Sequence, residues 1–157
     1  MNFKHWQVCV LSCLLVAHSG MPGATAFAQA GAGQPKASAV EFITAEELKR
    51  KISKNEPVTV IDVRSSTAFS ESEDKIKGAI RVKLRKLKSR LTVPPLKNVP
   101  HDSEVVTYCA CPSDEASIRA AQILSESGFK RVRALQHGWQ GWLQAKGPLE
   151  PRSRLPR

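Results

Sequence analysis

Residues Val58 to Val63 read Val-Thr-Val-Ile-Asp-Val, apolar or β-branched at nearly every position. A strand with one wet face alternates apolar and polar residues, so a run without alternation must be covered on both faces. In a chain of this size that cover is a layer of helices above and below a sheet. Gly78 to Val82 predicts a second, shorter strand, Val105 to Tyr108 a third, and Arg131 to Leu135 a last one. Helical patterns lie between them. Thr44-Ala45-Glu46-Glu47 is a capping box, followed by Ala45, Leu48 and Ile52 on one face and stopped by Asn55-Glu56-Pro57. Ser66 to Ser72 reads as a short helix or loop, and Leu84 to Leu91 as a helix with leucines at 84, 87 and 91. Glu115 to Ser127 is a helix closed by Gly128, and Trp139 to Ala145 is a last helix. Val93 to Pro100 contains three prolines and reads as loop. Strands alternating with helices predict an α/β fold, with about four to five parallel strands flanked by helices on both faces.

The chain has 157 residues, room for one domain with a real core. Residues 1 to 28 have the pattern of a signal peptide. Lys4 supplies the positive start, Trp6 to Ala17 the apolar stretch, and Ala26-Phe27-Ala28 the small-residue cleavage site before Gln29. The apolar stretch is shorter than the roughly 20 residues of a spanning helix. Cleavage after Ala28, giving a periplasmic or secreted protein with no membrane span remaining, is therefore expected. Residues 29 to 40 are rich in Ala, Gly, Gln and Pro and read as a flexible leader; 41 to 150 form the domain, and 151 to 157 a basic tail.

Cleavage removes Cys9 and Cys13, which leaves two of the four cysteines, Cys109 and Cys111. A pair one residue apart closes almost no loop and is a poor structural staple. In an oxidising compartment the two either pair with each other or are kept reduced for chemistry. The net charge of +10 becomes +9 without Lys4. Its excess lies in residues 75 to 97 and in the Arg-rich end, with no aromatic residues interleaved. Nucleic-acid binding is not indicated; a solvated basic face fits, with some attraction for anions.

Residues 105 to 117 concentrate the chemistry. An apolar run ends in Cys109, a polar loop follows, and a helix begins near Glu115. A thiol at the carboxyl end of a strand, facing loop amides and a helix N-terminus, is biased toward the reactive thiolate.

Ile61-Asp62-Val63-Arg64, Phe69, Ile76-x-Gly78-Ala79-Ile80, Tyr108-Cys109, Ser117 to Ala121 and Gly138-Trp139-x-x-Trp142 follow in an order that resembles rhodanese-like sulfurtransferase domains. The resemblance covers about residues 41 to 150, and Cys-x-Cys-Pro resembles the active loop of certain single rhodanese domains. It implies a parallel sheet flanked by helices, with the active cysteine in the loop after a central strand. It implies a small sulfur donor (thiosulfate, a persulfide or a polysulfide), a cysteine persulfide, and a thiol or cyanide acceptor, with no metal and no organic cofactor. Cys109 is the first candidate for nucleophile, because it directly follows the strand. Cys111 is its rival, since counting back from Ser117 it gives the six-residue loop usual for the family. The other cysteine would resolve the persulfide or form a disulfide. Amides of Ala110, Pro112's neighbours Cys111 and Ser113, and then Asp114, Glu115 and Ala116 would surround the sulfur.

Departures from the family pattern bear on the donor. Pro112, Ser113, Asp114 and Glu115 occupy positions where thiosulfate-using relatives carry a basic residue and a glycine, and no positive charge follows until Arg119. Acidic neighbours raise a thiol's pKa and repel a dianion. Asp114 is expected to cap the following helix. Asp62 and Arg64 resemble the family's structural pair, with Asp62 accepting loop hydrogen bonds and Arg64 leaning over the pocket to supply a positive charge. Lys75 stands where the family commonly has histidine, and His137, where it often has glycine, is a candidate proton or substrate contact. Trp142 is expected in the core, and Trp139 at the pocket edge or on the last strand. A phosphatase or arsenate reductase would need Cys-x5-Arg, but six residues beyond Cys109 and Cys111 stand Glu115 and Ser117. Zinc binding is disfavoured, because Cys-x-Cys is tighter than common structural spacings. The alternative is a non-catalytic or redox-sensing binding module of the same fold.

Overall fold

The computed structural model describes residues 39 to 152. The expected signal peptide, nearly all of the leader and residues 153 to 157 of the tail lie outside that range.

Five parallel strands form the main sheet: β1 (Glu41–Ile43), β2 (Thr59–Asp62), β4 (Ile80–Arg81), β5 (Glu104–Tyr108) and β6 (Arg131–Leu135), in the order β1-β6-β5-β2-β4. A separate antiparallel pair joins β3 (Asp74–Ile76) to β7 (Leu149–Pro151), with Lys75 opposite Glu150. Helices α1 (Ala45–Ser53), α2 (Ser66–Glu71), α3 (Leu87–Arg90), α4 (Glu115–Glu126) and α5 (Gly138–Gln144) complete the domain, with 3-10 turns at Leu84–Lys86 and Leu96–Asn98. Thr44 caps α1 as its sequence predicts, its hydroxyl accepting the Glu47 amide at 3.1 Å.

All five residues of the central strand β5 are buried. Its side chains divide between two cores, as a period of two requires. Val105 and Cys109 join Ile61, Val63, Leu87, Ala120 and Leu124 on the face covered by α3 and α4. Val106 and Tyr108 join Val60, Leu48, Trp139 and Trp142 on the face covered by α1 and α5. Trp142 is in the core, fully buried. The fully apolar strands thus reflect cover on both sides. Among the described residues, no helix is long and apolar enough to cross a membrane.

Candidate active site

The site is built where β5 stops and α4 starts. Cys109, the first residue past the strand, points into the α4 core and is 1% exposed. Its Sγ lies 3.8 Å from the Ser117 Oγ. Ser117 is itself fixed: its hydroxyl donates to the Asp114 carbonyl at 2.7 Å, and its carbonyl accepts from Thr107 at 2.8 Å. Thr107 is a contributor that the sequence reading missed, because an inward threonine in a buried strand looks like packing. Cys111 stands half-buried in the loop, and a disulfide joins it to Cys109 with Cα atoms 5.7 Å apart. Ala110 and Ala116 are also half-buried, whereas Pro112, Ser113 and Glu115 are exposed.

Asp114 turns the chain into α4. It sits at φ +55°, its amide donates to the Cys111 carbonyl at 3.2 Å, and its side chain makes no cap on α4. This corrects the expected cap. The carboxylate instead reaches across to the start of α5, where Oδ2 accepts the His137 amide at 2.8 Å. The left-handed backbone aims it there, and α4 begins without a side-chain cap on its first amides. The other oxygen, Oδ1, is buried with no hydrogen-bond partner. Burial pushes the Asp114 carboxyl above its usual range, against the pull of the His137 amide.

The start of α5 is locked onto the same loop. The Trp139 amide donates to the Cys109 carbonyl at 2.7 Å. Gly138, at φ +42°, lies so close to that carbonyl that any Cβ would collide with it. His137 contributes its backbone, and its ring is exposed.

Beneath the loop lies a buried ion pair. The Asp62 carboxylate accepts from the Arg64 amide at 3.0 Å, from Arg64 Nη2 at 2.7 Å and from the Tyr108 hydroxyl at 2.7 Å. Arg64 is 1% exposed, with Trp139, Phe69 and Tyr108 rings within 4.3, 5.1 and 5.6 Å of its guanidinium. The expected lean over the pocket is therefore corrected. The nearby carboxylate and three aromatic faces draw this arginine inward, where it organises the floor of the loop. Burial, and then the Asp62 charge, hold the Tyr108 phenol protonated far above its usual range. Trp139 stacks on Tyr108, with centroids 6.1 Å apart. Lys75 is bound as well, to the Ala79 carbonyl at 2.6 Å and to Glu150.

Positive charge gathers beside β4, in a groove lined by no residue of the cysteine loop. The groove, of about 380 Å³, is lined by Arg81, Lys83, Lys86 and Arg90, with Val82 and Ser89. Of these, Arg81 is committed to the Asp62 carbonyl at 3.0 Å, while Lys83, Lys86 and Arg90 are exposed. A larger concavity of about 710 Å³ lies at the opposite, amino-terminal edge of the sheet. It is lined by ionic partners: Glu104 pairs there with Lys51 at 3.1 Å, Arg131 at 3.4 Å and Arg133. Among the described residues, no group of three His, Cys, Asp or Glu side chains could hold a metal ion.

A family model described as a rhodanese-like domain matches residues 44 to 145. The thiosulfate sulfurtransferase GlpE of Glaesserella parasuis is 29% identical over 96 residues, covering 61% of this chain and 81% of its own. A putative sulfur carrier protein, YrkF of Bacillus subtilis, is 26% identical over 106 residues, covering 68% of this chain and 52% of its own. This chain thus spans about half the length of that relative. Among solved structures, a protein of Anabaena sp. superposes with a TM-score of 0.59 at 26% identity, covering 69% of this chain and 81% of the other.

Proposed function

Because the chain belongs to the rhodanese-like domain family, we propose that it is a sulfurtransferase whose reduced Cys109–Cys111 pair takes up sulfane sulfur as a persulfide and passes it on to a thiol. The observation that carries this reading is the pair's position between the end of β5 and the uncapped start of α4, with Ser117 against Cys109. A thiolate formed there attacks the outer sulfur of a donor, and the remainder departs as a thiolate or, from thiosulfate, as sulfite. Loop amides and the helix N-terminus stabilise the thiolate and the persulfide anion. The thiosulfate named for the Glaesserella relative is one candidate donor. Exposed Glu115 at the loop, with no cation nearer in sequence than Arg119, favours a persulfide or polysulfide over a dianion.

A second reading is a redox module, favoured by the disulfide, since neither sulfur is nucleophilic while bonded to the other. We further propose export, with cleavage after Ala28, on the charge, apolar stretch and small residues of the first 28 positions. The test of sulfur transfer is intact mass of the reduced protein after glutathione persulfide and, separately, thiosulfate. A gain of about 32 Da, one sulfur, that requires a cysteine of the pair supports the transferase. No gain by the wild type or by either single-cysteine variant with either donor, together with no sulfide released, favours the redox module.

A further inference from the structure

We propose that the second cysteine turns sulfur acceptance into reduction: the site converts sulfane sulfur to hydrogen sulfide and is left with the Cys109–Cys111 disulfide. The inference rests on the sulfur-accepting reading above and names the fate of the sulfur.

The two sulfurs are unequal. Cys109 is 1% exposed, its carbonyl is tied to the Trp139 amide, Gly138 packs against that carbonyl, and its Sγ rests near Ser117. With its backbone pinned at the carbonyl and its side chain buried, Cys109 is out of a donor's reach. Cys111 is half-buried, the more exposed residue of the two. The donor's sulfur therefore lands on Cys111, and the buried thiol of Cys109 stands behind it.

The loop's hydrogen bonds coexist with the disulfide. With the disulfide formed, the Asp114–His137 bridge, the Trp139–Cys109 hydrogen bond and the Ser117–Asp114 hydrogen bond are all in place. Attack within the loop thus needs no opening of the domain. An attacking thiol held next to its target outcompetes a free thiol in solution, because its approach has no translational cost.

The chemistry balances in two steps. The Cys111 thiolate attacks the outer sulfur of R–S–SH and forms Cys111–S–SH, and R–S⁻ leaves. The Cys109 thiolate then attacks the inner sulfur of that persulfide; the Cys109–Cys111 bond forms, the sulfur–sulfur bond of the persulfide breaks, and HS⁻ leaves. The proton lost by Cys109 completes H₂S. The sulfane sulfur is reduced and the two cysteines are oxidised by the same two electrons. A reductant, one dithiol or two monothiols, must reopen the disulfide before the next turnover. The external partner is therefore a reductant of the disulfide rather than an acceptor of the sulfur.

The experiment uses the chain reduced and freed of small thiols, then mixed with one equivalent of glutathione persulfide. Sulfide is counted by bimane trapping, and protein mass is read in parallel. The doubly substituted Cys109→Ser, Cys111→Ser chain supplies the blank. The wild-type chain is expected to release one sulfide per chain and lose about 2 Da, the two thiol hydrogens. Cys109→Ser and Cys109→Ala should each hold an added sulfur of about 32 Da and release no sulfide. Two variants guard against one that fails to fold. A wild-type chain that keeps the added sulfur, with both cysteines reduced and no sulfide released, overturns the inference while leaving the transferase intact. Uptake by Cys111→Ser but not by Cys109→Ser overturns the assigned order. No uptake by any variant, together with no sulfide from the wild type, removes the sulfur-accepting reading itself.

Discussion

Replacing Asp62 by Asn tests the floor on which the cysteine loop stands. The substitution keeps the shape of the side chain and removes its charge. In the structure that carboxylate is fully buried and accepts from the Arg64 amide, Nε and Nη2 and from the Tyr108 hydroxyl. Arg64 is equally buried, and its Nη1 has no hydrogen-bond partner. After the change the guanidinium keeps one neutral amide oxygen, the Asp74 carbonyl at 3.1 Å and three ring faces, but no negative charge. Removing one member of a buried ion pair costs about 3–5 kcal/mol. The Asn amide also turns a donor toward Nη2 or the Tyr108 hydroxyl, a mismatch of about 1–3 kcal/mol, so the upper part of the range is expected. Against a total stability of about 5–15 kcal/mol for an ordinary domain, this is severe. Urea unfolding at neutral pH should show the midpoint falling with little change in slope. The doubly substituted Asp62→Leu, Arg64→Met chain should recover much of the loss, because two apolar groups replace the pair together. A loss below about 1 kcal/mol for Asp62→Asn refutes the reasoning, since the guanidinium would then be held by something other than this carboxylate.

Three other perturbations probe separate parts of the account. Burial alone would raise the Glu104 carboxyl, but hydrogen bonds from Arg133 and Lys51 outweigh it and hold the group below its ordinary value of 4.5. Its contribution is thus full above that pH and is lost as pH falls below it, so the stability gap between wild type and Glu104→Gln should shrink between pH 7 and pH 3 in urea titrations. Asp114→Ala removes the acceptor of the His137 amide and should cost about 1–2 kcal/mol, while Asp114→Asn keeps an acceptor, tolerates φ +55°, and should cost little. Lys86→Glu combined with Arg90→Glu reverses two charges of the groove beside β4 and should slow sulfur uptake from thiosulfate about tenfold at low salt. Stopped-flow rates that differ equally at low and high ionic strength would speak against electrostatic recruitment.

The parallel sheet was legible because its strands carry their own signature. Arg131 to Leu135 matches its predicted bounds, and Val58 to Val63 and Val105 to Tyr108 shift by a residue or two at their ends. What escaped was pairing between short, polar segments. Of Glu41, Phe42 and Ile43 in β1 only Ile43 is buried, so no apolar run announces it. The β3–β7 pair is held across 75 positions by Lys75 and Glu150, a contact with no local trace. The site shows the same division. The cysteine pair and the helix behind it could be found from the strand-loop-helix pattern. Local habit suggested that Asp114 would cap its own helix; its partner His137 lies 23 positions away. Arg64 was expected over the pocket to supply the positive charge the loop lacks; Asp62 two residues earlier, and Phe69, Tyr108 and Trp139 from three other elements, make burial favourable. Those neighbours exist only once the chain is folded.

The central claim is that sulfur enters through the opened cysteine pair. The most direct measurement is the glutathione released when glutathione persulfide meets the protein in its disulfide form and, separately, after reduction and removal of the reductant. The account predicts about one equivalent of glutathione per reduced chain and none above the blank from the disulfide form. Equal release from both forms, or release that survives replacement of both cysteines by serine, would contradict it.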